Sequence, residues 1–172
     1  MRLFGQNLNK SYICTILTSV FMTKTNFELI ERQRDDLMKA YRAIAPTCHS
    51  QQEAYEKVVK SPAPRYYVSP KQAYRKLEKM VVGDFSTVDN MKPNKRRMYY
   101  SLYDKLMEMS QKKEFLGKSL WFICQFLVSE PAPEFFIKPK NMMFIFNYCK
   151  RYGKSYREMD LRKKKLSDQA DS

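Results

Sequence analysis

The sequence predicts an all-α protein built from two tandem three-helix units related by an internal repeat. Three observations lead there. Apolar residues recur at helical rather than alternating spacing, and capping residues and prolines punctuate them. A near-copy of one stretch also returns 69 residues further along the chain. Ser61-Pro62-Ala63-Pro64-Arg65-Tyr66-Tyr67-Val68-Ser69-Pro70-Lys71 is answered by Glu130-Pro131-Ala132-Pro133-Glu134-Phe135-Phe136-Ile137-Lys138-Pro139-Lys140. Both read Pro-Ala-Pro, a charged residue, two aromatics, a β-branched residue, a variable position and Pro-Lys. The register holds upstream without a gap: Asp35, Leu37 and Met38 fall on Asp104, Leu106 and Met107, Ser50 on Ser119, and Val58-Val59 on Leu127-Val128.

Residues 1–22 form a leader that matches nothing downstream. Its mildly apolar stretch, Tyr12 to Met22, is interrupted by Ser and Thr, is too short to span a bilayer, and precedes no small-residue cleavage site. It is expected to be disordered or not native, with Met22 as the natural start; the alternative is a secretory signal. The first unit, 23–83, opens with Thr25 and Glu28 as a capping box. The helix that follows runs from Asn26 to Ile44, with Phe27, Ile30, Leu37, Tyr41 and Ile44 on one face. Pro46 ends it. Ser50 and Glu53 cap a shorter helix to Lys60, whose inner residues are Ala54, Tyr55, Val58 and Val59.

Pro62 and Pro64 cannot continue that helix. The aromatic triplet after them suits a short extended segment, with at least one ring of Tyr66/Tyr67 and one of Phe135/Phe136 in the core. Ser69 then reads as an N-cap and Pro70 as the first residue of a helix to Val81, with Ala73, Leu77 and Met80 turned inward.

A polar linker, 84–92, leads to the second unit, 93–153. Its first helix follows Lys92-Pro93-Asn94-Lys95-Arg96-Arg97 and carries Tyr99, Leu102, Tyr103 and Leu106 on one face; Lys112 to Lys118 breaks it near Gly117. The helix from Ser119 to Val128 is apolar all round, which requires cover on every side. The last helix, Pro139 to about Tyr152, is also apolar. A basic polar tail, 154–172, contains Arg162-Lys163-Lys164-Lys165.

Thirty-two Lys and Arg against 18 Asp and Glu leave a charge of +14. A polyanion is therefore the leading partner, nucleic acid before anionic membrane. Cys14, Cys48, Cys124 and Cys149 fit no zinc spacing, and the single His49 cannot complete a ligand set, so no metal is expected. Cys124 and Cys149 stand in apolar surroundings and read as buried thiols of a reducing, cytoplasmic compartment. No cofactor is expected, since no glycine-rich phosphate loop is present. Cys48-His49 lacks an orienting third group. Recombinase-like chemistry from the tyrosines and arginines would need more histidine and a larger domain. The chain is read as no enzyme.

The helix from Pro70 to Val81 presents Lys71, Gln72, Arg75, Lys76 and Lys79 outward, the layout of a helix-turn-helix reader. Arg65 and Ser69 would add backbone contacts, and Lys95, Arg96 and Arg97 would extend the basic face. Arg and Gln suit guanine and adenine edges and Lys suits phosphate, so DNA is favoured over RNA. The connector from Ser61 to Ser69 exceeds the turn of about 3–4 residues in that motif, so the likeness is one of layout. In the second unit Arg65, Arg75 and Lys76 become Glu134, Phe144 and Ile145. That unit is expected to pack or to form a homo-oligomer through Trp121, Phe122, Phe126 and Phe144. No membrane partner is expected. The rival reading is a non-enzymatic interaction or assembly module. Either suits a small basic protein of a phage or mobile element.

Overall fold

The computed structural model describes residues 28–152, which are mostly helical and contain no named strand among the described residues. The leader and the tail, with Cys14 and Arg162 to Lys165, lie outside the described residues. Helix α1 covers 28–44. Leu37 is its fully buried residue, and Met38, Ala40, Tyr41 and Ile44 pack around it. Ile30, expected on the same side, is 47% exposed. It lines a surface groove with Leu29, Gln33 and the Tyr67-to-Gln72 segment instead of entering the core.

Helix α2, Gln51–Lys60, begins where Ser50 Oγ accepts the Glu53 N–H at 3.1 Å. The Glu53 carboxylate returns to the His49 N–H at 2.9 Å, a capping box displaced by one residue. Helix α3, Pro70–Val81, is capped by Ser69 and buries Ala73, Leu77 and Met80, as the periodicity predicts. The segment expected as a polar linker, 84–92, includes one helical turn. This is helix α4, Ser86–Asp89, whose Val88 is fully buried, while Phe85 before it stacks on Tyr100. Two apolar residues three apart suffice to pin a single turn to its neighbour, too short a pattern for periodicity to reveal.

Helix α5 spans Pro93–Ser110, α6 Leu120–Leu127 and α7 Pro139–Tyr152. Between α5 and α6 the chain makes a 3-10 turn, Lys113–Phe115, and passes Gly117 at φ +71°. The α6 helix is not covered on every side: Trp121, Phe122 and Phe126 are 43%, 38% and 47% exposed.

The two Pro-Ala-Pro segments meet. Within each, alanine alone has an N–H to give. Ala63 and Ala132 spend theirs on each other, with reciprocal N–H to carbonyl bonds of 2.9 Å in an antiparallel bridge. Beside it, the Tyr66 N–H donates to the Val128 carbonyl and the Phe135 N–H to the Val59 carbonyl, both at 3.2 Å. Those carbonyls close the last turns of α6 and α2, so each connector satisfies an orphan acceptor at the end of a helix from the other half. The rings repeat the crossing: Tyr66 stacks on Phe136 (6.2 Å, 16°) and Tyr67 on Phe135 (5.9 Å, 8°). Tyr66 and Phe135 are buried, whereas Tyr67 and Phe136 are half-buried. Phe136 takes a left-handed φ of +54°, at a strain cost of about 1–2 kcal/mol.

The helices are grouped otherwise than two units contiguous in sequence would be. Helix α3 packs most extensively on α6 and also on α5, while α2 packs on α7. Tyr41 of α1, Tyr55 of α2 and Phe146 of α7 form a ring cluster with centroids 4.6–5.7 Å apart. One group is therefore α1, α2 and α7; the other is α5, α6 and α3. A single core joins them, running from Leu37 and Val58 through Ala63, Ala132 and Phe135 to Leu102 and Leu127.

Of the thiols expected in the interior, Cys124 is fully buried and Cys149 half-buried. Burial pushes the Cys124 thiol from about 9 up to about 11. It likewise raises the phenols of Tyr55, Tyr66, Tyr67 and Tyr99 above their usual 10. For Tyr67 a hydrogen bond donated to Asp36 (2.8 Å) adds to the effect.

Two expectations follow from this core. Phe135→Ala should cost about 3–5 kcal/mol in a urea melt, and Phe136→Ala less, because the buried ring is the former; equal losses would contradict the crossing of the connectors. The second concerns pH. The folded chain holds its phenolic and Cys124 protons to a higher pH than the unfolded chain. That contribution is complete below the ordinary values and is lost as pH rises past them. The urea midpoint should stay level up to about pH 9 and fall above it; a level profile to about pH 11 would mean these groups titrate freely.

Candidate nucleic-acid interface

On α3 the sequence leaves four basic residues, Lys71, Arg75, Lys76 and Lys79, against one acid, Glu78. The apolar residues Ala73, Leu77 and Met80 point into the core, which turns Lys71, Gln72, Arg75 and Lys79 to the exposed side, within about 100° of one another at 3.6 residues per turn. Lys76 lies on the flank and is half-buried. Glu78 sits in the same stripe and accepts a hydrogen bond from the Tyr74 hydroxyl at 2.6 Å, which raises the phenol's pKa. Lys79 in turn helps hold the Asp84 carboxyl below its usual range, after the hydrogen bonds from Ser86.

Helix α5 opens with a second basic group. Lys92 is its N-cap, Pro93 its first residue, and Lys95, Arg96 and Arg97 are exposed in a first stretch without an acid. Cations at a helix N-terminus oppose the backbone dipole, so the sequence accepts a local cost there. The three are not equivalent. Arg97 is held by Glu134 through Nε (3.0 Å) and Nη2 (2.8 Å), and Arg96 Nη1 reaches the Asp89 carbonyl at 3.5 Å. Arg97 and Glu134 stand 69 residues beyond Glu28 and Arg65, with the signs of charge exchanged.

Arg65 is apart from the α3 stripe. It is half-buried, desolvation lowers its pKa, and the charges that act on it are Arg32 and Asp36 of α1. That part of α1 is a mixed surface of Glu28, Glu31, Arg32, Asp35, Asp36 and Lys39. Of the nine residues expected at the interface, α3 and α5 bring eight onto two helices that pack on each other. Arg65 faces elsewhere, and Arg97 is engaged by a carboxylate.

The aromatic neighbours escaped the sequence reading. Tyr74 meets Trp121 edge to face at 5.7 Å, so the exposed face of α6 adjoins α3. Phe122 and Phe126 lie 5.0 Å apart on that face, Phe115 packs on Phe126 at 5.8 Å, and Lys118 Nζ stands over Phe122 at 5.6 Å. Phe144 belongs to another place: it is 58% exposed on α7, with Lys140 over its ring. The four residues expected to share one association surface are thus divided between the two helix groups.

Among the described residues no group of His, Cys, Asp and Glu could hold a metal ion, and no helix is long and apolar enough to cross a membrane. Cys48 Sγ donates to the Ile44 carbonyl at 3.4 Å rather than engaging His49. The chain matches no protein-family model, no curated protein and no solved structure.

The reversed pair gives a direct test. Arg97→Glu should lower stability by about 1 kcal/mol or less, as for a half-exposed ion pair. Adding Glu134→Arg should recover most of the loss in a thermal melt, since exchanging the two charges restores an attraction at the same place; no recovery would show that the ion pair contributes nothing.

Proposed function

We propose that the protein binds nucleic acid, DNA before RNA, through the outward side of α3, without catalysing a reaction. The division of α3 into two sides carries this reading: Ala73, Leu77 and Met80 are fully buried against α5 and α6, while Lys71, Gln72, Arg75 and Lys79 are exposed. Arg75 and Gln72 bring planar donors suited to base edges, and Lys71 and Lys79 bring charge suited to phosphate. Lys76, Lys95 and Arg96 widen the basic region, and the net +14 steers a polyanion toward it.

The same reading takes the chain as two fused copies of one unit, helix, helix, connector and helix, that exchange their last helices. The crossed hydrogen bonds at Ala63 and Ala132, each set 69 residues from its counterpart, support it. On this reading α5, α6 and α3 make a three-helix group of helix-turn-helix layout, with the reading helix given by the first copy. In the other group Phe144 and Ile145 replace Arg75 and Lys76, so one group binds and the other packs. A cytoplasmic DNA-handling protein of a phage or mobile element fits this combination. The second reading, an interaction or assembly module, is favoured by the exposed Trp121, Phe122 and Phe126.

Gel shifts with duplex DNA, single strands and structured RNA at two salt concentrations test the proposal. Arg75→Ala with Lys76→Ala should weaken duplex binding and flatten the log–log salt slope by about 0.9 for each phosphate that the variant no longer neutralises. The melting temperature should hold to within a few degrees, since Arg75 is exposed, Lys76 is only half-buried, and such charges contribute little to stability. Wild-type-like binding by this double variant would remove α3 from the interface, and no shift at low salt would leave the assembly module.

A further inference from the structure

The outward face of α6 has a counterpart that shows what the fold itself requires. Trp121, Phe122, Gln125 and Phe126 stand 69 residues beyond Gln52, Glu53, Glu56 and Lys57 of α2. Those four are polar, and Glu53 and Lys57 pair with each other at 2.7 Å. Helix α2 performs the same structural duty as α6: Ser50 and Ser119 cap them alike, and Val58 and Leu127 enter the core alike. Three exposed aromatic residues on α6 are therefore no demand of packing. They expose apolar surface at a cost that a binding role would offset.

The surroundings select the occupant. Helix α6 itself carries no charged residue. Lys118 lies over Phe122, and the packing of Phe115 on Phe126 brings the turn that holds Lys113 alongside. Through Trp121 and Tyr74 the face adjoins α3, where Lys71, Gln72 and Arg75 are exposed. Carboxylates stand on the same elements, Glu114 in that turn and Glu78 on α3, and Tyr74 donates a hydrogen bond to the second. A second copy docked here would set lysines against lysines on a chain of +14. Flat aromatic rings bordered by cations and by planar hydrogen-bonding groups match a chain that carries phosphates and unpaired bases together.

We propose that the α6 face is a stacking platform for unpaired bases of a single strand, with its phosphates on Lys113, Lys118 and the α3 stripe. This rests on the nucleic-acid reading and adds to it that the preferred ligand is single-stranded, or has a single-stranded stretch beside a duplex on α3. Bases of a closed duplex have no free ring face to offer, so the duplex is held by α3 alone.

Trp121 is the chain's single tryptophan, so its emission reports on this face. The full chain is titrated with oligothymidylate and with a duplex of equal length, following emission and, separately, binding by gel shift. Oligothymidylate should quench Trp121, and the duplex should bind without quenching. Phe126→Lys separates stacking from charge, because it removes a ring and adds a cation. It should weaken oligothymidylate about 5- to 150-fold, the range for removing one base stack, and leave duplex binding as tight or tighter. Tighter oligothymidylate binding by Phe126→Lys would overturn the platform. Binding without any quench would also overturn it while leaving the nucleic-acid reading intact, whereas no binding by either ligand at low salt would remove both. Emission that changes with protein concentration alone would assign the face to a second copy. A shift with phosphatidylserine vesicles but not with oligothymidylate would assign it to a lipid surface.

Discussion

Four hydrogen bonds at the crossing of the connectors hold the arrangement of everything else. A helix that ends in Pro-Ala-Pro has unsatisfied carbonyls in its last turn and only one N–H among the next three residues to work with. Ala63 and Ala132 use that single donor on each other, and the N–H groups of Tyr66 and Phe135 close the ends of α6 and α2. Both alanines are 2% exposed, so there is no room there for a larger side chain. With these bonds made, the direction of each following helix is fixed, and α3 is delivered to α6 and α7 to α2. The basic side of α3 faces outward because its apolar side is committed to helices of the other half.

The departures from symmetry around this crossing are as informative as the agreement. Pairs such as Leu37 and Leu106, Val59 and Val128, or Ala73 and Met142 are buried on both sides. The differences gather on the outer surfaces. Arg75 has become Phe144, Gln52 and Lys57 have become Trp121 and Phe126, and the Glu28/Arg65 signs are reversed at Arg97 and Glu134. A surface position is free to change chemistry when the backbone beneath it is held from within. The group of α5, α6 and α3 thereby combines cations on α3 with exposed aromatics on α6, which are the two features that the functional reading uses.

Helix boundaries were legible because their chemistry is local. Ser50, Ser69 and Ser119 announce three starts, prolines announce others, and the inward residues of α2 and α3 follow from a 3.6-residue period. Helix α4 was not legible, since one turn with Phe85 and Val88 offers no period to read. The crossing was not legible either: the 69-residue offset in the sequence is the same whether α3 packs on the helices before it or on α5 and α6. At the interface, the stripe on α3 could be read from residue type and spacing. The sequestration of Arg97 by Glu134, the turning of Arg65 toward α1, and the meeting of Tyr74 with Trp121 depend on groups 29 to 47 positions apart in the chain. Reversal of charge at the 69-residue offset was the one available hint for the first of these.

The packing of α3 on α5 and α6, and of α2 on α7, also governs the order in which the chain can become a protein. As it leaves the ribosome, α3 emerges with Ala73, Leu77 and Met80 uncovered, and the helices that will cover them, α5 and α6, have yet to be made. Helix α2 likewise precedes α7, the helix on which it packs, by almost the whole described chain. Contacts of such long separation slow folding and prolong the exposure of apolar surface. During that interval the cationic side of α3 is already complete, so a polyanion present during synthesis would meet that charge before the helix has a core to rest on.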